Sequence, residues 1–343
     1  MAKTAIRWRF FFMALPVVVL IGWATGFSIP EYSISPGQAI DTATLVTVPQ
    51  VRPKDYVGSI YMTDVTLIHL TPILWIYDHV VSDVSIYPAS EIVGSSDPSQ
   101  FSQQQLSQMA NAKLAAGVAA FSYLNRRVPE VYGAEVLATV PGTPAYGVLR
   151  PGDLVTEVGG KTVTSMSTFA AAITSYPPGS VVRLLVIRQN VNSSSLDFKR
   201  ISFTVKLGSD PRNGKKAFLG VEYTQGVFYV LPGSIKIATG EIGGPSAGLA
   251  FALQLVQELS HHRFARGVKV AATGTIAPNG IVGEVGGVPQ KAVAVYRAGV
   301  KIFLVPKQQV SQARTYVGKK LTIIGVSSLS QAIDAIKGLR GIS

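Results

Sequence analysis

Ser246 and Lys291 are the residues of this sequence best suited to chemistry. Gly243-Gly244-Pro245-Ser246-Ala247-Gly248 runs into an apolar helical stretch over residues 249–259. Ser246 therefore falls at a helix N-terminus, where unpaired N–H groups and the helix dipole favour negative charge. An acyl-transfer nucleophile gains from that placement, because its oxyanion forms beside those groups. An ordinary glycine-rich turn with a capping serine explains the short motif equally well.

A serine nucleophile needs a base. The 4 histidines stand at 69, 79, 261 and 262. The last pair follows along the serine's own helix, about 22 Å away at 1.5 Å per residue. His69 and His79 belong to a remote N-terminal segment. A Ser-His-Asp triad is thus poorly supplied, and the histidines lack the spacing of zinc ligands. Lysine remains. Gly286-Gly287-Val288-Pro289-Gln290-Lys291 opens another helix, with small and apolar neighbours around the lysine. Desolvation and the positive helix end would lower its pKa towards that of a usable base.

These residues belong to a longer pattern: Gly244-Pro245-Ser246-Ala247-Gly248, Thr273-Gly274-Thr275-Ile276, Gly280 and Val282, Val285-Gly286-Gly287, Lys291, Ala298-Gly299-Val300 and Phe303-Leu304-Val305-Pro306. Residues 218–338 resemble the proteolytic domain of Lon-type Ser–Lys peptidases. The resemblance implies Ser246 as nucleophile, Lys291 as general base, and Thr273 as a residue that orients the lysine. Gly244, Pro245 and Ala247 support the serine in that motif. Gly243 replaces the acidic residue found before Gly-Pro-Ser in many ATP-dependent Lon enzymes. The family's rings bring in a homo-oligomer as an expectation.

Residues 131–207 have another grammar. A strand at 136–140 is followed by Pro141-Gly142-Thr143-Pro144-Ala145 and by Leu149-Arg150-Pro151-Gly152-Asp153-Leu154-Val155. Gly159-Gly160-Lys161 reads as a hairpin turn, 168–175 as a short helix, and 181–188 and 201–207 as strands. The order resembles a PDZ domain, which captures extended peptides by strand addition. Its carboxylate-binding loop is unclear, with Tyr132-Gly133-Ala134-Glu135 a loose candidate. Gly160-Lys161-Thr162 imitates the end of a phosphate-binding loop, but that motif needs glycine where Val155 stands. No ATPase signature appears elsewhere in the sequence.

Upstream, residues 10–27 carry no charge and follow Lys3, Arg7 and Arg9. Eighteen residues make about 27 Å of helix, close to the ~30 Å hydrocarbon core of a bilayer. An uncleaved single-pass anchor is expected. The charge asymmetry puts the N-terminus in the cytoplasm and the bulk of the chain outside the cell membrane. A second apolar stretch, 65–81, contains Pro72, Asp78 and two histidines and reads as a buried element. Asp97-Pro98 opens a packing helix that ends before Pro129.

Composition agrees. Of 343 residues, 47% are apolar and only 15% charged, against about 25% charged in a typical soluble domain. The net charge of +12 and pI near 9.8 raise a nucleic-acid reading. The basic residues are scattered, however, with no aromatic platform among them. Absence of cysteine excludes disulfides, thiol nucleophiles and Cys-ligated metal.

The expected fold is α+β and multidomain. Residues 1–28 form the anchor, 29–126 a β-rich segment with a packing helix, 127–207 a PDZ-like domain and 208–343 a Lon-type α/β proteolytic domain. The whole resembles the bacterial membrane-anchored PDZ–Lon proteins called YlbL-like. The resemblance implies an ATP-independent endopeptidase acting on unfolded or flexible polypeptides, with no cofactor, metal or nucleic-acid partner. Membrane lipid is contacted through residues 10–27. The alternative is a PDZ-based adaptor whose Lon-like domain is a non-catalytic scaffold.

Overall fold

A computed structural model describes residues 25–49, 59–94, 97–190, 193–196, 198–232, 235–260, 264–265 and 267–339. The first third holds β1 (Glu31–Asp41), β2 (Ile60–His69), α1 (Pro72–Val80), β3 (Ser85–Pro88) and α2 (Pro98–Tyr123). The middle holds β4 (Glu130–Thr139), β5 (Leu154–Val158), α3 (Met166–Thr174), β6 (Val181–Gln189), β7 (Phe198–Lys206) and β8 (Val221–Tyr229). The last third holds α4 (Gly248–Ser260), β9 (Val270–Ala272), α5 (Val288–Arg297), β10 (Ile302–Pro306), β11 (Thr322–Val326) and α6 (Leu329–Leu339). Most of the expected anchor, residues 10–27, lies outside the described residues. Among those described, no helix is long and apolar enough to cross a membrane.

Two sheets organise the chain. The first runs β11-β10-β9-β2-β1-β3. Its centre is parallel: Val270 pairs with Ile302 on one side and with Ile60 on the other. Such strands are covered on both faces and read as unbroken apolar runs, as Val-Ala-Ala in β9 and Ile-Phe-Leu-Val-Pro in β10 do. Helix α4 is buried all round from Gly248 to Leu259, the signature of a core helix. The second sheet runs β8-β4-β5-β6-β7, with α3 packed on one face around Phe169, Val158 and Leu184. Ser165 and Thr168 close a capping box on α3. Gly159 and Gly160, with φ of 56° and 81°, make the expected hairpin turn after β5.

The sheets do not follow the expected domain boundaries. β1 and β2, from the segment set apart at 29–126, complete the sheet of the C-terminal domain. The PDZ sheet runs past 207 to Tyr229, because β8 pairs along β4 from Val221↔Thr139 to Tyr229↔Glu130. The PDZ unit is therefore inserted into a larger domain, and its two ends meet where Val230 N–H donates to the Pro129 carbonyl at 2.9 Å. Tyr132–Glu135 lies within β4, hydrogen-bonded to strands on both sides, and forms no carboxylate-binding loop. Residues 65–81 are likewise not one buried element. Pro72 has no N–H for the β ladder but suits a helix start, so the stretch divides into the end of β2 and helix α1, which has no buried residue.

Helix α2 begins where expected, with the Asp97 carboxylate accepting from the N–H groups of Ser99 and Gln100. Its C-terminal half packs through Ala116, Val118 and Ala120 against the α4 core. The N-terminal half walls a cleft.

Candidate active site

Ser246 stands two residues before α4, as its motif requires. Gly244 takes φ +84°, and its N–H donates to the Gln105 carbonyl of α2 at 2.8 Å. The Ser246 carbonyl accepts from Gly274 N–H at 2.9 Å and from the Thr273 hydroxyl at 3.2 Å. Thr273, fully buried beyond the end of β9, thus fixes the serine's backbone in this structure. Its hydroxyl is tied to the serine rather than to the lysine. Ala247 is buried beneath the turn, and Pro245 closes it by accepting from Gly248 N–H at 3.3 Å.

Lys291 lies in the first turn of α5, its N–H donating to the Gly287 carbonyl at 2.9 Å. Its side chain is only 2% exposed. Burial pulls its pKa down from the ordinary lysine value to about 7, and the Asp64 carboxylate opposes the fall. Ser246 and Lys291 line one cavity of about 410 Å³, together with Met62, Thr63, Asp64 and Glu241. No hydrogen bond joins the two side chains among the described residues. Such pairs commonly tighten only around substrate.

Besides Glu241, the sequence reading missed three contributors to the site from the N-terminal third. Asp64 on β2 accepts from Gln38 N–H across the β1 bulge and places a negative charge near the lysine. Thr63 is 1% exposed, yet its hydroxyl has no hydrogen-bond partner among the described residues. Helix α2 supplies Phe101, Ser102, Gln105 and Leu106 to an adjoining hollow that also reaches Ser246 and Lys291. The same helix accounts for Gly243, since a Cβ there would lie 2.6 Å from Gln105 Cβ. An acidic side chain has no room at that position.

Of the described histidines, His69 stacks on Tyr32 with ring centroids 4.7 Å apart, and His79 leans on Trp75 at 4.0 Å. Neither lines the Ser246 cavity. His261 and His262 lie outside the described residues.

A helix-mouth serine and a desolvated lysine sharing a cavity define a class, and comparison with known proteins gives the same one. Residues 234–337 match the Lon protease (S16) C-terminal proteolytic domain, and residues 135–188 match a PDZ domain. The chain carries a Lon-type proteolytic domain of the Ser–Lys serine-peptidase type together with a PDZ domain. It is 33% identical over 105 residues to the Lon protease of Desulfatibacillum aliphaticivorans, covering 29% of this chain and 12% of the relative. To the Lon protease of Heliobacterium modesticaldum it is 37% identical over 93 residues, covering 26% and 11%. The chain thus spans about an eighth of the length of the relatives it matches. Among solved structures, the PDZ domain of an SdrC-like protein from Listeria monocytogenes is 25% identical, with 26% of this chain and 86% of that one covered and a TM-score of 0.23.

Proposed function

We propose that the chain is an ATP-independent, membrane-anchored serine endopeptidase acting on flexible polypeptides outside the membrane. One observation carries this reading: a lysine buried to 2% exposure, with a pKa brought to about 7, shares a cavity with a serine at a helix mouth. Ser246 Oγ attacks the peptide carbonyl carbon while Lys291 Nζ takes the hydroxyl proton. Backbone N–H groups at the start of α4 hold the oxyanion. The tetrahedral intermediate collapses, breaking the C–N bond, and the departing amine receives the proton from Lys291. Water then attacks the acyl-enzyme, Lys291 again accepts a proton, and Ser246 is released. Thr273, Gly244, Pro245 and Ala247 hold the serine turn in place for both steps.

The PDZ unit selects substrates by strand addition. Strand β8 is an edge of its sheet, beside α3 through Gln225 Nε2 donating to the Thr164 carbonyl at 3.1 Å. An extended tail added there gains main-chain hydrogen bonds. Independence from ATP rests on the lack of a phosphate-binding loop in this sequence, so cleavage of a flexible peptide should be unchanged by nucleotide. The anchor and its orientation rest on residues 10–27 and the basic residues before them. External protease added to intact cells should therefore remove most of the chain.

A serine-directed fluorophosphonate tests the central reading. It should label the intact chain and leave Ser246→Ala unlabelled. Equal labelling of both proteins would remove Ser246 from its role.

A further inference from the structure

Helix α1 is the most conspicuous feature that peptidase chemistry leaves unused. Its sequence, Pro-Ile-Leu-Trp-Ile-Tyr-Asp-His-Val, suits a protein core, yet none of its residues is buried. Ile76 is 63% and Val80 82% exposed, and Ile73, Trp75 and Tyr77 are exposed as well. A nine-residue helix gains little stability from its own hydrogen bonds in water, where isolated helices below about 12–15 residues are marginal. Soluble surfaces seldom gather so many large apolar side chains on one short element.

The position of α1 says what covers it. Leu70, two residues before the helix, accepts from Ile29 N–H at 2.8 Å and donates to the Glu31 carbonyl at 2.9 Å. Ile29 itself lies two residues beyond the uncharged run 10–27, a reach of about 7 Å at most. Residues 1–24 precede the described residues, which begin with Thr25, four positions before Ile29. Phe27 is exposed there, as are Ile68 and Tyr87. Tryptophan and tyrosine are the side chains that favour the boundary between lipid headgroups and acyl chains. Of these, Tyr77 shares one exposed face of the helix with Ile73, Ile76 and Val80; Trp75 lies on the other side, its indole N–H donating to the Glu31 carboxylate at 2.7 Å and its ring against His79.

We infer that α1 lies in the outer membrane interface beside the anchor, with Ile73, Ile76, Tyr77 and Val80 inserted at the headgroup–acyl boundary. This rests on the reading of residues 10–27 as a membrane span. The helix carries Asp78 but no lysine or arginine, and the Glu31 carboxylate is bonded to its Trp75. Insertion is therefore driven by apolar area rather than by anionic lipid. Two attachments hold the domain in a fixed attitude. The end of the cleft lined by Tyr32, Glu91 and Ile92 is then close to the bilayer, where polypeptide emerging from the membrane is the nearest substrate.

The chain has 3 tryptophans, so Trp8→Phe, Trp23→Phe and Trp75→Phe remove them all, and Ile76→Trp puts a sole reporter on the exposed face. The full-length variant is reconstituted into phosphatidylcholine vesicles, plain or brominated on the upper acyl chain, and floated. The reporter's emission should fall about twofold or more in the brominated vesicles, and acrylamide in the water should quench it weakly. A chain that floats, but whose reporter answers only to acrylamide, has α1 in water, and the inference fails. One that floats and answers to neither quencher has α1 covered by protein, such as a second copy, and the inference fails equally. A chain that does not float overturns the anchor itself and this inference with it. Since the protein has no cysteine, Ile76→Cys gives an independent readout. In vesicles it should react with a water-soluble maleimide about tenfold more slowly than Lys161→Cys on the PDZ hairpin. Equal rates would overturn the inference.

Discussion

The PDZ unit and the peptidase domain around it are built in opposite ways. In the PDZ sheet, β4, β5, β6, β7 and β8 come from one continuous segment, and their buried core is drawn from residues 134–219. In the peptidase sheet, β9 pairs with β2 across more than two hundred intervening residues, so Ile60 and Met62 share a core with Leu249, Leu304 and Ile333. A domain closed within one segment can be cut out. A domain closed across an insertion cannot be divided at the insertion's edge.

The largest expected effect breaks that contrast directly. Residues 208–343 produced alone lack the β2 partner of β9 and the α2 cover on α4, and should show no cooperative thermal transition by circular dichroism. Residues 129–230 alone should melt cooperatively. A folded 208–343 fragment would show that the N-terminal strands are dispensable.

Next come the reacting side chains. Ser246→Ala and Lys291→Arg should each lower peptidase turnover by about 10⁴-fold or more, and the double variant should be no worse, because the two act as a unit. Arginine keeps the charge but stays protonated and cannot serve as base. Near-normal turnover of a folded Lys291→Arg enzyme would assign the base elsewhere.

A smaller effect is expected from removing the insert. Joining Pro129 to Val230 by a short linker should leave cleavage of short peptides within a few-fold of the parent. Cleavage of long substrates presented by their tails should fall about tenfold. Parallel loss of both, in a folded protein, would make the PDZ unit part of the catalytic structure.

The smallest is a shift in pH dependence. Turnover should rise with pH through about 7 as Lys291 loses its proton. Asp64→Asn removes the charge that holds the lysine's pKa up, so the rise should move to lower pH. An unchanged profile would separate Asp64 from the lysine. The unfolded chain keeps a proton on Lys291 that the folded chain releases. Between about 7 and the ordinary lysine value of ~10.4, folding stability should therefore increase with pH. Lys291→Met should flatten that slope in a denaturation series.

How much of this was legible in the sequence follows from the same contrast. Gly159-Gly160, the α3 helix and the Gly-Pro-Ser-Ala-Gly turn announce local geometry through local residues, and they fold as read. Thr63, Asp64 and Gln105 reach the cleft only through long-range pairing of β2 and packing of α2. Nothing within a few positions of them marks that role. The PDZ edge was missed for a related reason. Phe218-Leu219-Gly220-Val221, one glycine among apolar residues, leads into β8, but it lies beyond 207, where the unit was expected to close. The stretch 65–81 was misread because an apolar composition describes a core and a lipid-facing helix alike. Only Pro72 marked the division.

The split sheet also sets when the enzyme can exist. A ribosome that has just added Ser246 has made β1, β2, α2 and the whole PDZ unit, but neither Lys291 nor β9, the strand that β2 must join on its other side. Helix α6, whose Ile333 and Ile336 complete the core beneath α4, is made later still. Long-range pairing of this kind is slow and late in folding. The cleft therefore closes only after residue 339 has been made, and the order of synthesis keeps the protease unarmed while its own chain is still unfolded.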